Sequence, residues 1–136
     1  MEITGGCYCG EVRYAAKGEP IAKGMCFCRE CRYISGGGAN VLMGMPADGF
    51  SYTQGEASHF TRTDFEGAVR REFCGNCGTH LVTRNPKVES AVFIKVGSLD
   101  DQDVYGMPAI AVHCSEKKAY HLVPEGVVCF EKFPQR

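Results

Sequence analysis

Seven of the nine cysteines fall in three tight groups: Cys7-Tyr8-Cys9, Cys26-Phe27-Cys28-Arg29-Glu30-Cys31 and Cys74-Gly75-Asn76-Cys77. Clustered thiols without an export signal are more often metal ligands than disulfide halves, because a reducing compartment keeps them free. Glycines flank or interrupt the first and third groups (Gly6, Gly10, Gly75, Gly78), and glycine lets a backbone turn tightly enough for two sulfurs to converge on one ion. Zinc suits such sulfurs. It takes four ligands in a closed structural site, and three plus an exchangeable position in a catalytic one. Seven thiolates divide naturally into four and three.

Spacing alone leaves two divisions open. Cys28-x-x-Cys31 with Cys74-x-x-Cys77 would build a ribbon-like site and leave Cys7, Cys9 and Cys26 over. Alternatively, Cys7, Cys9, Cys74 and Cys77 would clamp the start of the chain to its middle, leaving Cys26, Cys28 and Cys31 as a compact trio. One local loop can then supply three ligands and keep one face of the ion open, which favours this second division. Two other uses compete. Free cysteine packs as a small hydrophobe, but three tight clusters argue against that. A C-x-x-C redox pair at Cys74 and Cys77 lacks the βαβ context that would support it.

The other candidates carry weaker signals. Cys114 and Cys129 fall on expected strands and read as buried packing residues. His113 could support a metal ligand through a hydrogen bond, although a satisfied strand histidine is the simpler reading. His80 follows Cys77 closely enough to do the same, and His59 and His121 carry no local signal. Asp100-Asp101 reads as a turn and helix start. No general base stands out.

The elements that must position these residues are short. The runs 11–14, 41–43, 69–73, 91–96, 110–114 and 126–130 are β-branched, aromatic or alternating, and Gly, Pro, Asp and Ser clusters separate them. No window shows a sustained helical period; at most a helical turn is expected after Cys31 and another near 98–101. The fold class is therefore mainly β and antiparallel. A length of 136 residues fits one domain over 1–136, able to bury roughly 70% of its unfolded surface. The net charge of −1 argues against nucleic acid or an anionic membrane as the main partner. The N-terminus has neither a basic nor an apolar region of a signal peptide, and the longest uncharged stretch, 33–47, is too short to span a bilayer, so a cytoplasmic protein is expected.

Three motifs in order resemble a known family. Gly5-Gly6-Cys7-Tyr8-Cys9-Gly10-Glu11-Val12-Arg13-Tyr14 is similar to the opening of glutathione-dependent formaldehyde-activating enzymes, which are grouped with the centromere-protein V domain. Cys26 to Arg32 with Ser35-Gly36 resembles the family's second motif, and Arg71 to Thr79 its third. Gly97-Ser98-Leu99-Asp100 and Pro108…His113 also fit, so the likeness runs from about residue 5 to residue 133. Two positions depart from the pattern: Phe27 replaces a usual histidine, and Tyr120 stands where Trp is common.

The resemblance implies a small β-tent of antiparallel strands with two zinc ions. Cys7, Cys9, Cys74 and Cys77 would hold the structural zinc, and Cys26, Cys28 and Cys31 the catalytic one. It further implies a carbon–sulfur lyase whose partners are a small thiol such as glutathione and a small aldehyde such as formaldehyde. Three thiolates give zinc a formal charge of minus one, which suits it to holding a reactive thiolate better than to activating water. Arg32, and less strongly Arg29, would offset that charge or fork to a carboxylate of the thiol peptide. The competing function is a binding or scaffold module with both zincs structural, the second closed by Cys114, His80 or His113.

Overall fold

The computed structural model describes residues 1–133, so the last three positions of the expected 1–136 span lie outside the described residues. Strands dominate. In order they are β1 (Glu2–Gly6), β2 (Arg13–Lys17), β3 (Ala22–Cys26), β4 (Asn40–Pro46), β5 (Phe50–Gln54), β6 (Ser58–Phe60), β7 (Arg70–Phe73), β8 (His80–Arg84), β9 (Ala91–Lys95), β10 (Ile110–Val112) and β11 (Val128–Cys129). Among the described residues a single α-helix, α1 (Arg29–Ile34), follows β3. The mainly β class expected from the short apolar runs is what the structure has.

Two sheets form. β1-β2-β5 is a small antiparallel sheet, and the larger one runs β11-β10-β3-β4-β9-β8-β7-β6. Most pairs are antiparallel, as in a meander of hairpins. The exception is β10, which lies parallel to both β3 and β11. The long connection from β9 to β10, through 3-10 turns at Val96–Ser98 and Gln102–Tyr105, allows that crossover. The helical turn expected at 98–101 resolves into these two turns, with the Asp101 carboxylate accepting the Asp103 N–H at 3.1 Å.

The core lies between the small sheet and the middle of the large one. Met43, Met45, Leu81, Val82, Val92 and Ile94 from β4, β8 and β9 are fully buried, with Tyr14 and Ala16 of β2 opposite them. Each large apolar side chain so buried stabilises the fold by about 1.5–3 kcal/mol. Tyr14 turns its hydroxyl to Ser98 Oγ at 2.7 Å, satisfying the one polar atom it carries inward. Cys7, Cys74 and partly buried Cys77 pack against this core, whereas Cys26, Cys28 and Cys31 form a separate small cluster with Val112 and Ile110.

Candidate metal centres

The first centre joins two turns. Cys7 and Cys9 lie just past β1, in the loop to β2; Cys74 and Cys77 lie in the turn between β7 and β8. Their four sulfurs all lie within 4.8 Å of one another. Gly10 and Gly78, each directly after the second cysteine of its turn, take φ values of +84° and +79°, a conformation glycine adopts without strain. The Cys7 amide donates to Val12 O at 3.0 Å and the Cys74 amide to Thr79 O at 2.9 Å, so each turn closes on itself. The Tyr8 amide donates to Thr79 Oγ1 at 3.0 Å, tying one turn to the other.

The donor set fits a thiolate-bound cation. Four sulfurs about 2.3 Å from a central zinc would be separated by about 3.8 Å along a tetrahedron edge. Cys7 Sγ to Cys9 Sγ is 3.6 Å and Cys9 Sγ to Cys74 Sγ is 3.7 Å. N–H groups also aim at the sulfurs: Val12 N–H at Cys7 Sγ (3.2 Å), Asn76 N–H at Cys74 Sγ (3.4 Å) and the Asn76 side-chain amide at Cys9 Sγ (3.4 Å). Hydrogen bonds to the charged form favour it. The Cys77 thiol is pushed down to about 5, first by the Thr79 hydroxyl and then by backbone N–H groups.

The second centre occupies one short segment. Cys26 ends β3, Cys28 caps α1 and Cys31 lies inside the helix; their sulfurs again lie within 4.8 Å of one another. The helix starts at Arg29, earlier than expected, because Cys28 is extended (φ −62°, ψ 162°) and its sulfur accepts the Cys31 N–H at 3.4 Å. In register, Cys26 faces Asn40 of β4 on one side and Val112 of β10 on the other. Buried Asn40 donates its side-chain amide to Cys31 Sγ at 3.3 Å. Hydrogen bonds from Cys26 and Cys28, with Asn40 added, pull the Cys31 thiol down to about 3, while bonds to Cys28 and Cys31 push Cys26 up. Three converging sulfurs of this softness fit zinc as the quartet does. No fourth His, Cys or carboxylate joins them within that distance among the described residues.

Lys95 is a functional candidate that the sequence reading passed over. It is buried at the end of β9 and donates to Thr83 Oγ1 at 2.7 Å. Burial pushes it down to about 8, and the nearby Cys31 charge opposes that shift. A lysine inside the apolar run 91–96 was the available signal. A cleft of about 410 Å³ runs past Asn40, Lys95, Thr79 and His80, and therefore lies between the two sulfur clusters. His80 also borders a second cleft of about 590 Å³ with Arg29, Tyr33, Phe60 and Arg71. Its Nδ1 is buried with no hydrogen-bond partner among the described residues. Burial, then the charges of Lys95 and Arg71, hold its pKa below the usual histidine value.

The remaining candidates are placed as follows. Arg32 Nη1 donates to Phe27 O (2.8 Å) and Glu116 O (3.1 Å), bracing the trio's loop against the segment after β10. Arg29 lies over the Tyr33 ring. His113 adopts the left-handed conformation (φ 54°), just past β10, and its Nδ1 lies 3.1 Å from Glu116 Oε2. It is therefore a paired turn histidine rather than a strand one. Phe27, at the position where histidine is usual, is fully buried beneath His121, with ring centroids 4.9 Å apart. Cys129 lies on a strand as expected but is exposed, and Cys114 is half-buried at the start of a 3-10 turn, which corrects the expectation that both are buried and that Cys114 is on a strand. Strand β11 is only two residues long and pairs on one side, so it covers neither thiol.

The family model for glutathione-dependent formaldehyde-activating enzyme matches residues 2–116. A crystal structure of a Rhodobacter sphaeroides protein, a structural genomics target, superposes with a TM-score of 0.62 at 15% identity, covering 76% of this chain and 95% of that one. At that identity the likeness speaks to fold alone. No curated protein matches the chain. Among the described residues no helix is long and apolar enough to cross a membrane.

Proposed function

This chain belongs to the glutathione-dependent formaldehyde-activating enzyme family, and we propose that it is a cytoplasmic zinc-dependent carbon–sulfur lyase that joins a small thiol to a small aldehyde, or separates them. In this reading Cys7, Cys9, Cys74 and Cys77 hold a structural zinc, and Cys26, Cys28 and Cys31 hold a catalytic one. A zinc on three thiolates supplies an exchangeable position at which an incoming thiol is kept as its thiolate.

The chain's own residues orient and balance that reaction. Arg32 and Lys95 bring positive charge to a trio whose metal complex is formally negative. Arg32 spends Nη1 on two backbone carbonyls, which leaves its Nε–Nη2 edge, the geometry that pairs bidentately with a carboxylate, for the acid group of a thiol peptide. Arg29 and Arg71 line the larger cleft and offer the same charge further from the trio. His80 lines both clefts and is the imidazole that would take the thiol proton there. In the forward direction a sulfur–carbon bond forms, the carbonyl π bond breaks, and that proton ends on the new hydroxyl oxygen; the lyase direction reverses each change.

What carries this reading over a scaffold module is the missing fourth ligand at the trio: neither His80, His113 nor Cys114 closes it. The test follows the exchange of glutathione and formaldehyde with their S-hydroxymethyl adduct by NMR line broadening. Wild-type zinc-loaded protein is expected to accelerate exchange above the spontaneous rate, and a folded Cys28→Ser variant is expected to return it to that rate. Equal exchange in both proteins would remove the trio from the reaction.

A further inference from the structure

Two cysteines outside both metal centres meet. Cys114 and Cys129 bring their Sγ atoms to 2.6 Å, closer than non-bonded sulfurs pack. The backbone holds them there independently. Ala111 pairs with Cys129 in the parallel β10–β11 register, the Phe130 N–H donates to Ala111 O at 2.9 Å, and the Cys114 N–H donates to Phe130 O at 3.0 Å. The backbone of β11 and of the turn after β10 therefore already sets the two sulfurs side by side. Cys129 is exposed, so a small reagent reaches it; Cys114 is half-buried directly behind it.

We propose that Cys114 and Cys129 are a reversible disulfide site that reacts with small-molecule disulfides. The exposed Cys129 thiolate attacks the small disulfide, forming a mixed disulfide and releasing one thiol. Cys114 then attacks Cys129 Sγ, displacing the second thiol. The protein gives up two electrons and two protons, and the small disulfide is reduced to two thiols, so the exchange balances. The order follows from access. Exposed Cys129 meets the reagent first, and half-buried Cys114, with its Sγ already against Cys129 Sγ, is placed to resolve the mixed disulfide.

The bond would staple the base of the 115–128 loop. That loop covers the trio's flank: His121 stacks on Phe27 and its Nε2 lies 2.7 Å from Gly37 O, while Glu116 accepts the Arg29 N–H at 3.2 Å and the Arg32 guanidinium. Oxidation therefore pins the segment that braces α1, whether or not the trio catalyses the proposed reaction.

The test uses the full-length, zinc-loaded chain. It is incubated with glutathione disulfide, alkylated in denaturant with a chelator, and mapped by mass spectrometry. The expected result is one cross-linked peptide pair joining Cys114 to Cys129, lighter by two hydrogens, with the other seven cysteines alkylated and the thermal midpoint raised by several degrees. A Cys114→Ser variant is expected to retain a glutathione adduct on Cys129, because the resolving thiol is gone. Full alkylation of both residues in the treated wild type, or a cross-link to one of the seven clustered cysteines instead, would overturn the proposal. Should Cys114→Ser fail to fold, the wild-type map alone decides.

Discussion

The quartet and the trio use the same ligand chemistry but are built in opposite ways. The quartet is drawn from two turns far apart in sequence; Cys9 and Cys74 are 65 residues apart, so a metal there closes a long loop and joins the small sheet to the large one. Its sulfurs are met by backbone N–H groups and its buried members belong to the main core. The trio spans six residues of one strand end and one helix, cross-links nothing distant, and has its own small apolar cluster. Besides the Cys31 N–H on Cys28 Sγ, its polar neighbours are side chains from two other strands: Asn40 on one sulfur and Lys95 nearby. A centre whose removal disconnects two sheets bears on stability, and one carried on a local loop can be altered without dismantling the fold.

Metal removal should separate the two most sharply. Structural zinc sites of this kind contribute about 10–16 kcal/mol in small peptides, more than the roughly 5–15 kcal/mol net stability of a domain. Chelation to completion, or Cys74→Ser, is therefore expected to unfold the chain, read by loss of cooperative melting in circular dichroism. Cys28→Ser should melt within a few degrees of wild type. If both variants melt alike, the division of labour is wrong.

Phe27 is the apolar floor of the trio's loop. Phe27→Ala should cost about 3–5 kcal/mol, measured by urea unfolding, while the metal content of the quartet stays whole. Asn40 tests the polar side of the same site. Neighbours that hydrogen-bond a ligand are worth about 10–100-fold in metal affinity, so Asn40→Ala should lower zinc affinity at the trio by that factor. A competitive chelator titration should show the tighter site unchanged.

The smallest effect concerns how the quartet's hairpin is held. Asp100 accepts from Thr4 Oγ1 at 2.6 Å and pairs with Arg13 of β2. Arg13, and then Thr4, hold the Asp100 carboxyl below its usual value. A lowered folded pKa means the folded state binds fewer protons, so this stability is present above the ordinary pKa of 3.8 and is lost as pH falls through the lower folded value. Both side chains are about a third or more exposed, so the contribution is only about 0.2–1 kcal/mol. Asp100→Asn should remove that much at pH 7, and the difference between variant and wild type should close at low pH and shrink with salt.

The three thiol clusters were readable from cysteine spacing, which left two divisions open; the family resemblance implied the four and the three whose sulfurs converge here. Runs such as 91–96 and 110–114 were readable as strands because β-branched residues mark a pleated, buried surface. Strand β3 was not, since Ala22-Lys23-Gly24-Met25-Cys26 has little strand preference of its own; pairing on both sides, with β4 and β10, makes it a strand. Lys95 was missed because burial of a lysine depends on partners, Thr83 and the trio's charge, that local pattern does not reveal. The meeting of Cys114 with Cys129 depends on a parallel pairing set by the whole sheet, which no spacing rule reports.

The central claim is the difference in closure between the two centres, and zinc X-ray absorption with metal analysis tests it directly. The zinc-loaded protein should carry two zinc ions per chain, sharing seven protein sulfurs, and adding glutathione should bring in one more sulfur at one of them. Two ions already fully ligated by the chain, with no change on adding the thiol, would contradict the account.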